Sequence, residues 1–143
     1  MILSAQQLFS DQQAITATAV STNVIDTGVR GTPYDAAAAL DGDLGPGNAI
    51  PLLVQATETF DLLTTLKISV ETGSTTALGT EILSQTVALA DLVAGKQVNF
   101  DKVPNGTVER YLGMRYTVVG TNPTAGKITA GISMGNQTNV TGV

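Results

Sequence analysis

Residues 65–72, with the sequence TLKISVET, are the clearest indication of the fold. Apolar side chains occupy every second position, so Leu66, Ile68 and Val70 are predicted to face a core. The polar side chains between them are predicted to point outward, and these are Lys67, Ser69 and Glu71. A period of two over this length is typical of a β-strand buried on one face only.

The same alternation recurs along the chain. Residues 109–119 (ERYLGMRYTVV) and 127–134 (KITAGISM) show it over long spans. Shorter extended segments are predicted at residues 13–20, 23–26, 49–60, 80–87 and 96–100. About eight short strands separated by Gly, Pro and Asn turns, with no long helical pattern, indicate an all-β fold. Eight strands in two antiparallel sheets predict a β-sandwich of the jelly-roll type.

Composition excludes several kinds of chemistry. The 143 residues include no Cys and no His, so disulfides, thiolate or imidazole metal sites and a Ser-His-Asp triad cannot form. The chain has seven basic and twelve acidic residues, and this acidic balance is unsuited to a phosphate-binding patch. Only 13% of the residues are charged, against roughly 25% in average domains. We therefore expect a non-enzymatic protein without cofactor or nucleic-acid partner, part of whose surface is covered by other molecules.

Two local motifs do not complete a binding site. Asp41-Gly42-Asp43 begins like a calcium loop, but the next ligand positions are occupied by Gly45 and Leu52. The glycines of residues 42–47 lack the Lys-Ser/Thr pair of a phosphate-binding loop. No metal site is predicted. The first residues do not form a signal peptide and no apolar run approaches ~18 residues, so no membrane partner is expected.

Residues 13–135 are predicted to form a single sandwich domain. Three segments lie outside its predicted strands. Residues 1–12 are predicted to be an N-terminal arm, and residues 136–143 a polar tail. Residues 28–48 form a long Gly- and Pro-rich loop, and loops of this length are often functional. This loop is a candidate contact element, whereas the apolar residues of the arm either pack locally under a sheet or dock on another chain.

Strand positions that face outward supply the remaining candidates. Glu58, Glu71 and Glu109 are expected to keep exposed strand faces soluble. Tyr111 and Arg115 form an exposed pair of the residue types favoured at protein interfaces. The residues predicted to contact a partner or a second copy of the chain are Leu3, Leu8, Phe9, Arg30, Tyr34, Tyr111 and Arg115.

Several strings in order resemble a small family of tailed-phage capsid cement (decoration) proteins. They are residues 1–6 (MILSAQ), 9–11 (FSD), 14–16 (AIT), 23–26 (NVID), 45–48 (GPGN), 50–55 (IPLLVQ), 110–112 (RYL) and 115–116 (RY). The similarity covers roughly residues 1–135 and rests on the succession of segments, because no single motif is specific.

The resemblance implies a jelly-roll protein on the outer surface of an icosahedral head, assembled in the host cytoplasm. It implies binding to the major capsid protein, stabilisation of contacts between shell subunits, and self-association as a homodimer or a trimer. It gives no catalytic residues. The alternative is a carbohydrate- or receptor-binding β-sandwich of a phage tail or fibre. The absence of Trp disfavours this alternative, because sugars usually stack on exposed aromatic rings.

Overall fold

The computed structural model describes residues 3–39, 50–100, 103 and 109–133. Within these ranges the regular structure is β except for one 3₁₀ turn, Leu89–Asp91. The strands are β1 (Leu3–Ala14), β2 (Ala19–Val20), β3 (Ile25–Asp26), β4 (Leu52–Glu58), β5 (Leu63–Gly73), β6 (Thr80–Ala88), β7 (Gln97–Phe100), β8 (Tyr111–Gly120) and β9 (Lys127–Ser133). None of the helical structure in the described ranges is long and apolar enough to cross a membrane.

The strands form two antiparallel sheets. One has the order β1-β9-β4-β7, and the other has the order β2-β8-β5-β6 with β3 also paired to β8. When β2 and β3 are taken as one interrupted strand, the antiparallel pairs are nested: β1 with β9, β2/β3 with β8, β4 with β7, and β5 with β6. Successive pairs lie in alternate sheets. This is the winding of a jelly roll, and the predicted all-β sandwich is confirmed.

The core lies between the sheets, where the apolar faces of the strands meet. Leu66, Ile68 and Val70 of β5 are completely buried, as predicted from the alternation of residues 65–72. Across the ladder Ile68 pairs with Tyr116 and Val70 with Met114, both of which are also buried. Burying a side chain of this size on folding stabilises the folded state by about 1.5–3 kcal/mol. The predicted strands at 49–60, 65–72, 80–87, 96–100, 109–119 and 127–134 correspond to β4–β9.

The prediction of an N-terminal arm over residues 1–12 is wrong from Leu3 onward. These residues form β1, an edge strand paired with β9, and Phe9 is completely buried in the core. The register of β1 shifts at three points between Leu3 and Gln13, and Gln12 adopts a positive φ of 46°. Each shift moves the following side chains to the other face, so the strand has no period of two in its sequence. Residues 1 and 2 lie outside the described ranges.

The prediction of a strand over residues 13–20 is also only partly right. β1 ends at Ala14, residues 16–18 form a bend, and only Ala19–Val20 pair with β8. Ile15 is buried, whereas Ala17, predicted on the same face, is exposed. The chain passes here from one sheet to the other, which interrupts the ladder. The predicted polar tail, residues 136–143, lies outside the described residues.

Gly126 provides a test of this packing. Its φ is +131°, and a Cβ added there would overlap the buried ring of Phe60. We expect Gly126→Ala to lower the free energy of unfolding by about 2–4 kcal/mol, through backbone strain and overpacking. Gly31→Ala is the control, because a Cβ at Gly31 meets nothing within 4 Å. Urea denaturation measures both, and equal midpoints for the two variants would contradict the packing described.

Candidate functional site

The two ends of the sandwich differ in character. At one end the connections are short and tied to one another, as Asp61 shows. Its Oδ1 accepts hydrogen bonds from the backbone N–H of Thr124 (2.7 Å) and of Ala125 (3.0 Å), and its Oδ2 accepts one from the Thr124 hydroxyl. These bonds, first of all that from the Thr124 hydroxyl, lower the pKa of Asp61. This end is built as a fixed part of the scaffold.

The opposite end carries a segment that projects from the scaffold. Residues 27–39, here called the exposed loop, follow β3 and are all exposed to solvent. Tyr34 is fully exposed and Val29 is 82% exposed. The one backbone hydrogen bond described within the segment is local, from the N–H of Ala36 to the carbonyl of Pro33 (3.1 Å). The predicted long loop continues to residue 48, and residues 40–48 lie outside the described ranges.

The root of the exposed loop, in contrast, is firmly held. Asp26 ends β3, and its carboxylate accepts two hydrogen bonds from Arg110, from Nε (2.9 Å) and from Nη2 (2.8 Å). The N–H of Gly28 donates to Asp26 Oδ1 (2.8 Å), and the N–H of Thr27 donates to the carbonyl of Arg110 (2.9 Å). The guanidinium of Arg110 lies 5.0 Å from the centre of the Tyr111 ring, a cation–π distance.

A groove of about 750 Å³ lies beside this root. It is lined by residues 5–11 of β1 and by residues 22–26, which end where the exposed loop begins. Its two walls are joined by Asn23, whose backbone N–H donates to the carbonyl of Phe9 (2.9 Å) and whose Nδ2 donates to the carbonyl of Leu8 (2.6 Å). The groove and the exposed loop therefore form one continuous surface at this end of the molecule.

The predicted contact residues are distributed unevenly over this surface. Arg30 and Tyr34 lie on the exposed loop, and Tyr111 is the cross-strand partner of Asp26 at its root. Leu8 lines the groove and is half-buried. Leu3 is half-buried at the start of β1, opposite Ser133. Phe9 has no accessible surface to offer a partner, because it is a core residue.

Arg115 is committed to an internal ion pair. Its Nε lies 2.8 Å from Glu71 Oε2, and its Nη2 donates to the carbonyl of Ala77 (3.0 Å). The expectation that Glu71 is exposed is wrong, since its side chain is only 8% exposed. The β5–β6 loop, residues 74–79, folds back over the outer face of the sheet, and Leu78 lies against Gly113. Tyr111 and Arg115 thus do not act as one exposed pair.

The other two outward glutamates are half-buried. Glu58 is paired with Lys127 at 2.7 Å. The Oε1 of Glu109 accepts a hydrogen bond from the Thr80 hydroxyl (3.3 Å). Among the residues that the structure describes, no group of three acidic side chains could hold a metal ion. The sequence Asp41-Gly42-Asp43 and residues 42–47 lie outside that part of the chain.

No pattern in the sequence marks Asp26, Arg110 and Glu71 as the residues that organise this region. Asp26 and Arg110 are separated by 84 residues, and no local pattern relates them. Gly28, with a φ of +93°, is the one local indication that the chain turns sharply after Asp26.

The fold and the exposed loop define a jelly-roll protein with a projecting surface at one end. The family model described as Bbp16 matches residues 9–132, which is most of the chain. The chain belongs to the Bbp16 family. The family name is of the type given to phage proteins, and the membership points to a phage protein. No curated protein matches the chain.

The ion pair of Glu71 leads to a prediction about stability. Arg115→Ala leaves a buried carboxylate without its counter-charge, and we expect a loss of about 2–3 kcal/mol in the free energy of unfolding. The control is Lys67→Ala, which breaks the exposed pair with Glu81 (39% and 40% exposed) and should cost less than about 1 kcal/mol. Chemical denaturation measures both values. Similar losses in the two variants would show that Glu71 is not protected from solvent.

The carboxylate of Asp26 gives a prediction about pH. Hydrogen bonds from Arg110, and then from the Gly28 N–H, lower the pKa of Asp26 from 3.8 to about 2. Because the folded pKa is depressed, the stabilisation is complete above pH 3.8 and is lost as the pH falls through about 2. NMR titration of the Asp26 carboxyl carbon should show this midpoint, and Arg110→Gln should raise it. A midpoint near 3.8 in the unaltered protein would mean that the pair does not form in solution.

Proposed function

We propose that this protein is a capsid cement protein that binds the outer surface of a phage head and stabilises contacts between major capsid subunits. The observation that carries the proposal is the exposed loop, which offers Val29 and Tyr34 to solvent on a firmly held root. A fully exposed tyrosine has little to stabilise it within its own chain. Tyrosine and arginine are also the residue types enriched among the strongest contacts of protein interfaces.

The remaining support is of two kinds. Membership of the Bbp16 family points to a phage protein. The succession of sequence segments similar to those of cement proteins suggests the kind of phage protein. In this proposal the role is structural rather than enzymatic, the partners are the major capsid protein and further copies of the chain, and self-association gives a homodimer or a trimer. A particle component that binds two subunits at once gains affinity from the high effective concentration of the second site.

The test measures occupancy on purified heads of the parent phage from which this protein has been removed. We expect Tyr34→Ala to weaken binding by about tenfold, since central aromatic contacts are often worth 1–2 kcal/mol. Replacing residues 29–34 by Gly and Ser at equal length should abolish it. Val93→Ala is the control, because Val93 is an apolar residue 48% exposed in the connections at the opposite end.

Full occupancy by both loop variants would contradict a role of the loop in binding. Counting copies in intact virions tests the function itself. A cement protein should be present in numbers comparable with the shell subunits. A copy number typical of tail components would favour the alternative, a carbohydrate- or receptor-binding module of a tail or fibre.

A further inference from the structure

The Asp26–Arg110 ion pair at the root of the exposed loop differs in geometry from two other exposed ion pairs. Lys67–Glu81 and Lys127–Glu58 each join a lysine to one carboxylate oxygen at 2.7 Å. The Asp26–Arg110 pair uses both carboxylate oxygens and two guanidinium nitrogens, which fixes the relative orientation of the two groups as well as their distance. Such two-point pairing constrains the orientation of the Asp26 side chain relative to Arg110.

Further bonds at the root act on the backbone of the loop itself. The carbonyl of Arg110 accepts from both the N–H (2.9 Å) and the hydroxyl (2.8 Å) of Thr27. Asp26 Oδ1, already bonded to Arg110, also accepts from the N–H of Gly28. Thr27 is therefore held by the backbone of Arg110, and Gly28 is held by the Asp26 carboxylate that pairs with the Arg110 side chain. Residues 29–39 are exposed, and the N–H of Ala36 donates to the carbonyl of Pro33 within them.

The position of Arg110 is itself determined by the sheet. It directly precedes β8, and its guanidinium stacks on Tyr111, the cross-strand partner of Asp26. The constraint on the loop is thus transmitted from the β3–β8 ladder through the stacked guanidinium to Asp26 and Gly28. Tyr34 lies six residues beyond Gly28, so the direction of exit at Gly28 limits the region that its side chain can reach.

We infer that Asp26 and Arg110 are positioning residues for binding: their pairing fixes the direction in which the exposed loop leaves the sandwich and thereby raises its affinity for the shell. This inference rests on the proposed function. A loop that is oriented in advance loses less conformational freedom on binding, and the retained free energy appears as affinity. The two residues are assigned no contact with the shell; they act through the loop.

The test uses Arg110→Gln in the full-length protein. Residue 110 is remote in sequence from the loop, so the intrinsic exchange rate of the Gly28 amide is unaltered. We expect the Gly28 amide to exchange at least about tenfold faster, because its acceptor Asp26 is no longer held by Arg110, with β5 and β8 amides unchanged. Affinity for the depleted heads should fall about fivefold to tenfold. Arg110→Lys keeps the charge but not the two-point geometry, and it should restore only part of each effect.

The matched control is Lys127→Gln. It removes a pair whose side chains are 43% and 42% exposed, against 41% and 42% for Arg110 and Asp26, but it lies at the other end of the sandwich. It should change neither the exchange of Gly28 nor the affinity for heads. An equal loss of affinity in this control would overturn the inference, because a general loss of surface charge would then suffice.

Other outcomes separate the inference from the function on which it rests. Unchanged exchange at Gly28 in Arg110→Gln overturns the inference directly, without use of heads. Faster exchange with full affinity also overturns it, and leaves the loop contact intact if the Gly/Ser replacement of residues 29–34 still fails to bind. If that replacement binds normally, the loop contact fails, and the positioning role fails with it.

Discussion

β5 and β8 pair from Leu63 opposite Gly120 to Gly73 opposite Tyr111, and this antiparallel ladder organises both faces of its sheet. Its inner face supplies the core residues Ile68 and Tyr116. Its outer face brings Glu71 close to Arg115, whose pairing holds the β5–β6 loop in place. The end of the ladder at Tyr111 is where β3 pairs and where the exposed loop begins. A shift of one residue would reverse both faces at once, so one register decides the core, the ion pair and the loop root.

The two sheets are also joined by a polar contact through the core. The hydroxyl of Tyr116 on β8 lies 2.8 Å from that of Ser10 on β1, and the Ser10 hydroxyl donates to Gln13 Oε1 at 2.7 Å. Burial raises the pKa of Tyr116, and the bond to Ser10 lowers it by a smaller amount. A buried hydroxyl needs such a partner, since leaving it unpaired costs about 1–3 kcal/mol. The bond helps to explain why β1, in spite of its irregular register, belongs to the fold.

The candidate surface combines a constrained root with a segment whose residues 29–39 are all exposed. Binding through a wholly free loop would require the whole segment to be ordered at the interface, at a cost of about 1–2 kcal/mol per backbone residue. Fixing Thr27 and Gly28 in advance removes part of that cost. The scarcity of charge, 13% of the residues, is compatible with a protein whose surface is shared with partners, although the exposed loop itself carries both Arg30 and Asp35.

The fold class and most of the strands follow from the amino-acid sequence, because a side-chain period of two follows directly from strand geometry wherever one face is buried. The sequence also placed Arg30 and Tyr34 on a long loop outside the core. The strand β1 could not be predicted, since three register shifts remove the period of two from its sequence. The burial of Glu71 could not be predicted either, since nothing in the local sequence indicates that a loop covers this outward position. The pairing of Asp26 with Arg110, 84 residues apart, was decided by tertiary structure alone. Contacts of that kind depend on which strands become neighbours, and a local pattern contains no information about neighbours distant in the chain.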